Sequence, residues 1–206
     1  MGVRTPEEYI ESLRQQKPVV YMDGKRIDNV VDHPAFEVGL NSAATTFAQA
    51  HDPKYRDLAR VHSDLVGEEV SRWTYLMQDV QDALAKVKLM RALGDLLCPC
   101  YYRCIPSDVL HAAWAVSAEI DASHDTRYHA NVVEIVKEAQ RNDWIIGGAI
   151  VSPKGDRRKG PAEQADPDMY LHVVERRADG IVVRGAKAHG TAAPYTNMIC
   201  AVEMTP

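Results

Sequence analysis

An α+β fold is predicted for this 206-residue chain, with a mainly helical part over residues 1–146 and a partial antiparallel β part over 147–206. Three observations predict it. From Pro34 to about Asn142, apolar residues recur at three- and four-residue spacings, the period of a helix. Past Ile145, short apolar and alternating runs replace them. Turn-forming Asp-Gly pairs punctuate both ends of the chain.

Taken in order, Thr5-Pro6-Glu7-Glu8 reads as a helix start: Thr5 caps, Pro6 tolerates the first turn and Glu8 completes a capping box. That helix should end near Gln16. The runs PVVYM and KRIDNVV flank Asp23-Gly24, a pair suited to a type I′ hairpin. Helical spacing then covers Ser63–Val70, Ser71–Lys86 and Val87–Leu97. Ser107-Asp108 is expected to open another helix, and Thr126 to cap one from Tyr128 to Gln140. WIIGGAIV is a short apolar strand run, followed by a glycine- and charge-rich loop. MYLHVVERR and GIVVRGAKAH alternate around Asp179-Gly180 as a second hairpin, and NMICAVEM reads as a last strand. So few strands would leave open apolar edges, which implies pairing with another chain or a sequence that continues.

Composition narrows the function. The chain is 46% hydrophobic and 26% charged, with a formal net charge of −5. A nucleic-acid binder needs a basic face, and none is indicated. No apolar run approaches the roughly 18 residues of a membrane span. The polar start MGVRTPEEYIESLRQQK has no signal-peptide core, so a cytoplasmic protein is expected. In that setting Cys98, Cys100, Cys104 and Cys200 are thiols or metal ligands rather than disulfides.

Three segments carry chemistry. If Cys100 and Cys104 share a helix, they lie one turn apart on one face, which suits two thiolate ligands of one metal or cluster. Two further ligands would then come from elsewhere, and the alternative is that these cysteines pack as small hydrophobes. Ser152-Pro153-Lys154-Gly155-Asp156-Arg157 follows a strand and offers backbone donors and positive charge to a phosphate or a flavin edge. A solvated surface turn is its alternative. Gly185-Ala186-Lys187-Ala188-His189-Gly190-Thr191 combines small residues with a hydroxyl that can donate to a carbonyl, or is a plain strand exit. His111 and His129 read as structural.

In this order, Cys100–Cys104, Thr126–His129, Pro153–Arg157, Asp166–Asp168 and Asp179–Thr191 resemble the flavoprotein family containing 4-hydroxyphenylacetate 3-monooxygenase and 4-hydroxybutyryl-CoA dehydratase. The early segment EEYIESLRQQKPVVYMDGKRI and His33-Pro34-Ala35-Phe36 fit too, so the likeness covers nearly the whole chain. It implies an acyl-CoA dehydrogenase-like fold, of which this sequence supplies the helical first domain and part of the middle β domain; the C-terminal helical bundle is missing. The cysteine pair is similar to the dehydratase branch. That implies FAD and a [4Fe–4S] cluster held by Cys100 and Cys104, with a histidine and a third cysteine from the bundle. Flavin contacts are implied for Ala149, Ile150, Val151, Lys154, Gly155, Asp156, Arg157 and the Thr191 hydroxyl. Val151-Ser152 stands where that branch has Thr-Asp, a departure at a flavin contact.

The implied chemistry is removal of a β-hydrogen and an α-proton from an acyl-CoA with loss of water, the cofactors carrying the hard step. The resemblance implies that the base is a cluster histidine outside this chain, so no catalytic base is assigned here. In the monooxygenase branch, an arginine at the position of Arg103 contacts a phenol, and the cysteines become packing residues. A third reading is a non-catalytic remnant or a subunit dependent on a partner chain. The family implies a homotetramer when complete, a small-molecule substrate, and neither nucleic acid nor membrane as partner.

Overall fold

The computed structural model describes residues 2–97 and 103–202, with the backbone alone for 105–107. Helix α1 (Pro6–Gln16) starts as its residues dictate: Thr5 Oγ1 accepts from Glu8 N, and the Glu8 carboxylate accepts from Thr5 N. Its apolar face buries Tyr9 and Leu13. Strands β1 (Val20–Met22) and β2 (Lys25–Ile27) then form the expected hairpin, with Asp23 at φ 50° and Gly24 at φ 74°, the positive pair a type I′ turn needs. Helix α2 (Glu37–Ala48) packs on α1, stacking Phe47 on Tyr9 at 4.5 Å between ring centroids.

The next stretch departs from its helical spacing. After the single turn α3 (Arg56–Ala59), residues 60–71 form an antiparallel hairpin of β3 (Arg60–Ser63) and β4 (Glu68–Ser71). Gly67, at φ 73°, takes the left-handed conformation that closes the loop. Leu65, Val66 and Val70 mimic a helical period, but the pairing buries Val70 completely. Helix α4 (Val80–Leu97) starts later than Ser71, because Asp79 Oδ1 accepts from Asp82 N in the manner of an N-cap. Arg72, in the turn that follows β4, is buried and paired with Asp82 at 3.1 Å.

Helix α5 (Cys104–His124) begins at Cys104, three residues before Ser107. Helix α6 (Tyr128–Arg141) matches its expected span, but Thr126 is not its cap. The Thr126 hydroxyl donates to Asp121 Oδ1 at 2.6 Å, and the Asp121 carboxylate accepts from Tyr128 N and His129 N at 2.8 Å each. A carboxylate from the preceding helix therefore satisfies two of the orphan donors of α6.

Past residue 145 the pairing is mixed rather than antiparallel throughout. Strand β5 (Ile146–Ala149) runs parallel to β8 (Met198–Ala201), while β6 (His172–Arg177) and β7 (Gly180–Arg184) form an antiparallel hairpin. A parallel pair needs a long crossover, and here it contains the whole β6–β7 hairpin. Arg177 pairs with Gly180, so Ala178 and Asp179 are the central turn residues, neither with positive φ. Gly180 thus occupies the last turn position, where glycine is common in type I turns.

Three apolar clusters hold these parts. Tyr9, Leu40, Phe47 and Ile145 share one, Trp73, Leu89 and Leu93 a second, and Leu110, Val136 and Ile146 a third. Tyr9 Oη donates to Tyr195 O at 2.8 Å and Gln16 Nε2 to Thr196 O at 3.1 Å, joining α1 to the loop before β8.

Candidate functional site

Two strand ends and one helix start position the residues singled out in the sequence. Ala149 ends β5, buried, with its carbonyl accepting from Val202 N at 3.2 Å. The chain then emerges: Ile150 and Val151 are 43% and 51% exposed, an unusual surfacing of adjacent branched residues. The following loop is built around Gln164, which is buried. Gln164 Oε1 accepts from Asp156 N at 2.9 Å, and Nε2 donates to the carbonyls of Asp156, Lys159 and Gly160 at 3.1–3.2 Å. Gly155 lies so close that a Cβ there would stand 2.3 Å from Gln164 Oε1. The Asp156 carboxylate accepts two bonds from the Arg158 guanidinium at 2.8–2.9 Å, which holds its pKa below the ordinary value. Lys154 and Arg157 extend into solvent without an ion pair among the described residues.

The segment after β7 returns to this loop. Gly185 has φ 134°, and a Cβ there would meet Tyr170 O at 2.3 Å, so only glycine fits. Ala188 N donates to Val151 O at 2.8 Å. Lys187 Nζ donates to Val202 O at 2.6 Å, Ser152 Oγ at 2.9 Å and Ile150 O at 3.4 Å. One ammonium thus ties the ends of β5 and β8 together. Thr191, three residues beyond Ala188, is exposed between His189 and Ala192, both with positive φ. The structure therefore brings residues 149–152 and 187–188 together and leaves the Thr191 hydroxyl accessible beyond them.

At the start of α5, Cys104 is half-buried, and Cys98 and Cys100 lie outside the described residues. Beside it, the Arg103 side chain is fully buried. Its Nη2 donates to Asp143 Oδ1, its guanidinium carbon lies 4.5 Å from the Phe47 ring centroid, and Nε and Nη1 have no hydrogen-bond partner. Asp143 is itself buried, with φ 44°, and its other oxygen accepts from Arg4 N at 3.2 Å. Lys86, on the inner face of α4, is 4% exposed; its Nζ has no hydrogen-bond partner and lies 5.8 Å from the Trp73 ring centroid. Burial lowers its pKa to about 8, against the favourable charges of Asp108 and Cys104. Buried unpaired donors of positive charge suit an anionic ligand, which a thiolate-bound cluster would be.

Among the described residues no group of three or more His, Cys, Asp or Glu side chains is arranged to hold a metal, so Cys104 would need ligands from beyond them. The histidines are engaged structurally: His111 Nε2 accepts from Met77 N at 2.7 Å, and His129 Nδ1 is 2.9 Å from Ser117 Oγ. A cleft of about 350 Å³ lined by Tyr75, Leu76, Trp114 and Gln140, and one of about 450 Å³ lined by Arg4, Glu8 and Arg141, contain none of the sequence-predicted site residues. No helix among the described residues is long and apolar enough to cross a membrane.

Sequence reasoning missed Lys86, Asp143 and Gln164. For Lys86 a signal existed, a charged residue in phase with Leu89 and Leu93. The partners of Asp143 and Gln164 are set by chain folding and left none.

Comparison with known proteins adds family and fold. The family described as 4-hydroxyphenylacetate 3-hydroxylase N terminal matches residues 5–206. The chain is 46% identical over 187 residues to the 4-hydroxybutyryl-CoA dehydratase/vinylacetyl-CoA-Delta-isomerase of Clostridium aminobutyricum, covering 91% of this chain and 38% of that protein. It is 27% identical over 202 residues to a 4-hydroxyphenylacetate 3-monooxygenase oxygenase component of Geobacillus sp. (strain PA-9), covering 97% and 40%. The oxygen-tolerant archaeal 4-hydroxybutyryl-CoA dehydratase from N. maritimus superposes with a TM-score of 0.90 at 36% identity, over 97% of this chain and 39% of that one. The oxygenase component of 4-hydroxyphenylacetate 3-monooxygenase, complexed with FAD, shares the fold, with a TM-score of 0.80 at 23% identity over 96% and 40%. The chain thus spans about two fifths of the length of the relatives it matches.

Proposed function

Because this chain belongs to the 4-hydroxyphenylacetate 3-hydroxylase N-terminal family, we propose that it forms the N-terminal portion of a flavin-dependent enzyme of the 4-hydroxybutyryl-CoA dehydratase type. The observation that carries this reading is the gap between 46% identity to a dehydratase and 27% to a monooxygenase. The unpartnered buried donors Lys86 Nζ and Arg103 Nε and Nη1 support it, since they favour an anionic ligand there.

In this reading FAD supplies electron transfer, and a [4Fe–4S] cluster on Cys100 and Cys104 supplies a Lewis-acidic iron for the substrate hydroxyl. This chain's own residues hold and orient. Ala149, Ile150 and Val151 offer an apolar strand end to the flavin, and Gly155 and Asp156 fix the loop that carries the free cations Lys154 and Arg157. Those cations suit the anionic part of the cofactor. The exposed Thr191 hydroxyl would donate to a flavin carbonyl. Lys187 locks the strand ends so that this surface is formed before any ligand arrives. The acyl-CoA substrate, the cytoplasmic location, the division near residue 146 and the requirement for a C-terminal bundle, in one tetrameric chain or from a partner, belong to the same proposal.

Replacing Cys100 and Cys104 together by serine in the full-length gene product should remove bound iron and 4-hydroxybutyryl-CoA dehydration alike. Full iron retention would overturn the cluster assignment. A second reading has one observation in its favour: Arg103 Nε and Nη1 are unpartnered donors, as a phenol-binding arginine in an aromatic hydroxylase requires. Oxygen consumption with reduced flavin and 4-hydroxyphenylacetate, insensitive to the cysteine replacements, would establish that reading instead.

A further inference from the structure

We propose that Lys86 is a positioning residue that serves as the counter-charge of the Cys104 site, its ammonium offsetting the negative charge of a thiolate-bound cluster; this rests on the dehydratase-type reading above. The cations whose charge acts on Lys86 are Arg72 and Arg103, and the Cys104 thiol acts on it with the opposite sign. Both cations are matched: Arg72 by Asp82 at 3.1 Å and Arg103 by the buried Asp143. Lys86 is not. Its Nζ reaches no acceptor, and Asp108, the nearest carboxylate influence, is an exposed residue that makes no hydrogen bond to it. Among the described residues, the Trp73 ring attracts the ammonium only weakly at 5.8 Å, and Cys104 acts on it as a favourable charge.

An ammonium taken out of water without a partner costs several kcal/mol, and a methionine would fill the same space at no such cost. On an otherwise apolar helix face, next to Leu89 and Leu93, packing therefore does not account for lysine. A charge held there, within electrostatic reach of Cys104, has a use when a thiolate or a cluster brings negative charge to that residue. The positive field stabilises the more negative, reduced form of a cluster and so raises its reduction potential.

The test uses the full-length gene product purified anaerobically, with Lys86→Met, Lys86→Arg and the Cys100→Ser/Cys104→Ser pair, and reads iron per chain and midpoint potential by EPR-monitored titration. Lys86→Met should keep its iron and become harder to reduce by about tenfold in equilibrium constant, a fall of about 59 mV for one electron. Lys86→Arg, which restores the charge, should return most of the shift; Lys86→Gln reads the same quantity if Lys86→Met does not accumulate. An unchanged potential in an iron-replete Lys86→Met or Lys86→Gln protein overturns the proposal and leaves the dehydratase reading intact. Iron retained in the double cysteine variant overturns both.

Discussion

Lys86→Met should make this 206-residue chain more stable, not less. In the folded chain the ammonium is 4% exposed and unpartnered, and its pKa lies at about 8 against an ordinary 10.5, burial being the chief cause. At 1.36 kcal/mol for each pH unit, keeping that proton at neutral pH costs the native state about 3 kcal/mol. The unfolded chain holds the proton up to pH 10.5 and the folded one only to about 8, so stability rises with pH across that interval. It falls back as pH drops to 8 and then stays level. Methionine matches the stem's length and brings no charge. Urea unfolding of the two proteins should therefore differ by about 3 kcal/mol at pH 7, and by only about 1.4 kcal/mol at pH 9.5, where half or more of the penalty has been relieved. A variant no more stable at pH 7, or a gain that does not shrink by pH 9.5, would refute the assignment of Lys86 as a charge held at a cost.

Two further outcomes follow from the same physics. Asp143→Asn leaves the fully buried Arg103 without its carboxylate, and should lower stability by about 3–5 kcal/mol in urea denaturation; a loss below about 1 kcal/mol would show that the pair does not hold the helix start in place. Gln164→Ala removes the four hydrogen bonds that close the basic loop, so trypsin should cut at Lys154, Arg157 or Arg158 about tenfold faster or more, while equal rates would mean that the loop is held by other contacts.

What the sequence made legible is local chemistry. The capping box of Thr5 and Glu8, the Asp23-Gly24 turn and the periodic helix from Tyr128 each depend on residues within a few positions of one another, and each forms. Where partners are distant, spacing misleads. Leu65, Val66 and Val70 fit a helix until Arg60–Ser63 is seen to pair with Glu68–Ser71. The parallel pairing of β5 with β8 has no local signature, since the strands are joined across about fifty residues. The candidate site divides the same way. Its motifs stood out as strings, but Lys187 as a clamp, Asp143 as the mate of Arg103 and Gln164 as the loop's centre are visible only after folding.

The bonds from α1 to the loop before β8 span extremes of the chain: Tyr9 reaches Tyr195, and Asn197 Nδ2 donates to Ser12 Oγ at 3.3 Å. Such high contact order slows folding, because a long stretch must be ordered before the contact repays it. During synthesis at about 5–20 residues per second, the first helix waits roughly 10–40 s for the segment that completes its binding surface. Over that interval Tyr9 and Leu13 share their cluster with Val30, Phe36, Leu40 and Phe47 but lack Tyr195 against it. Helix α1 is thus made well before the segment that secures it, and a ribosome stalled before residue 195 would display it without its bond to Tyr195.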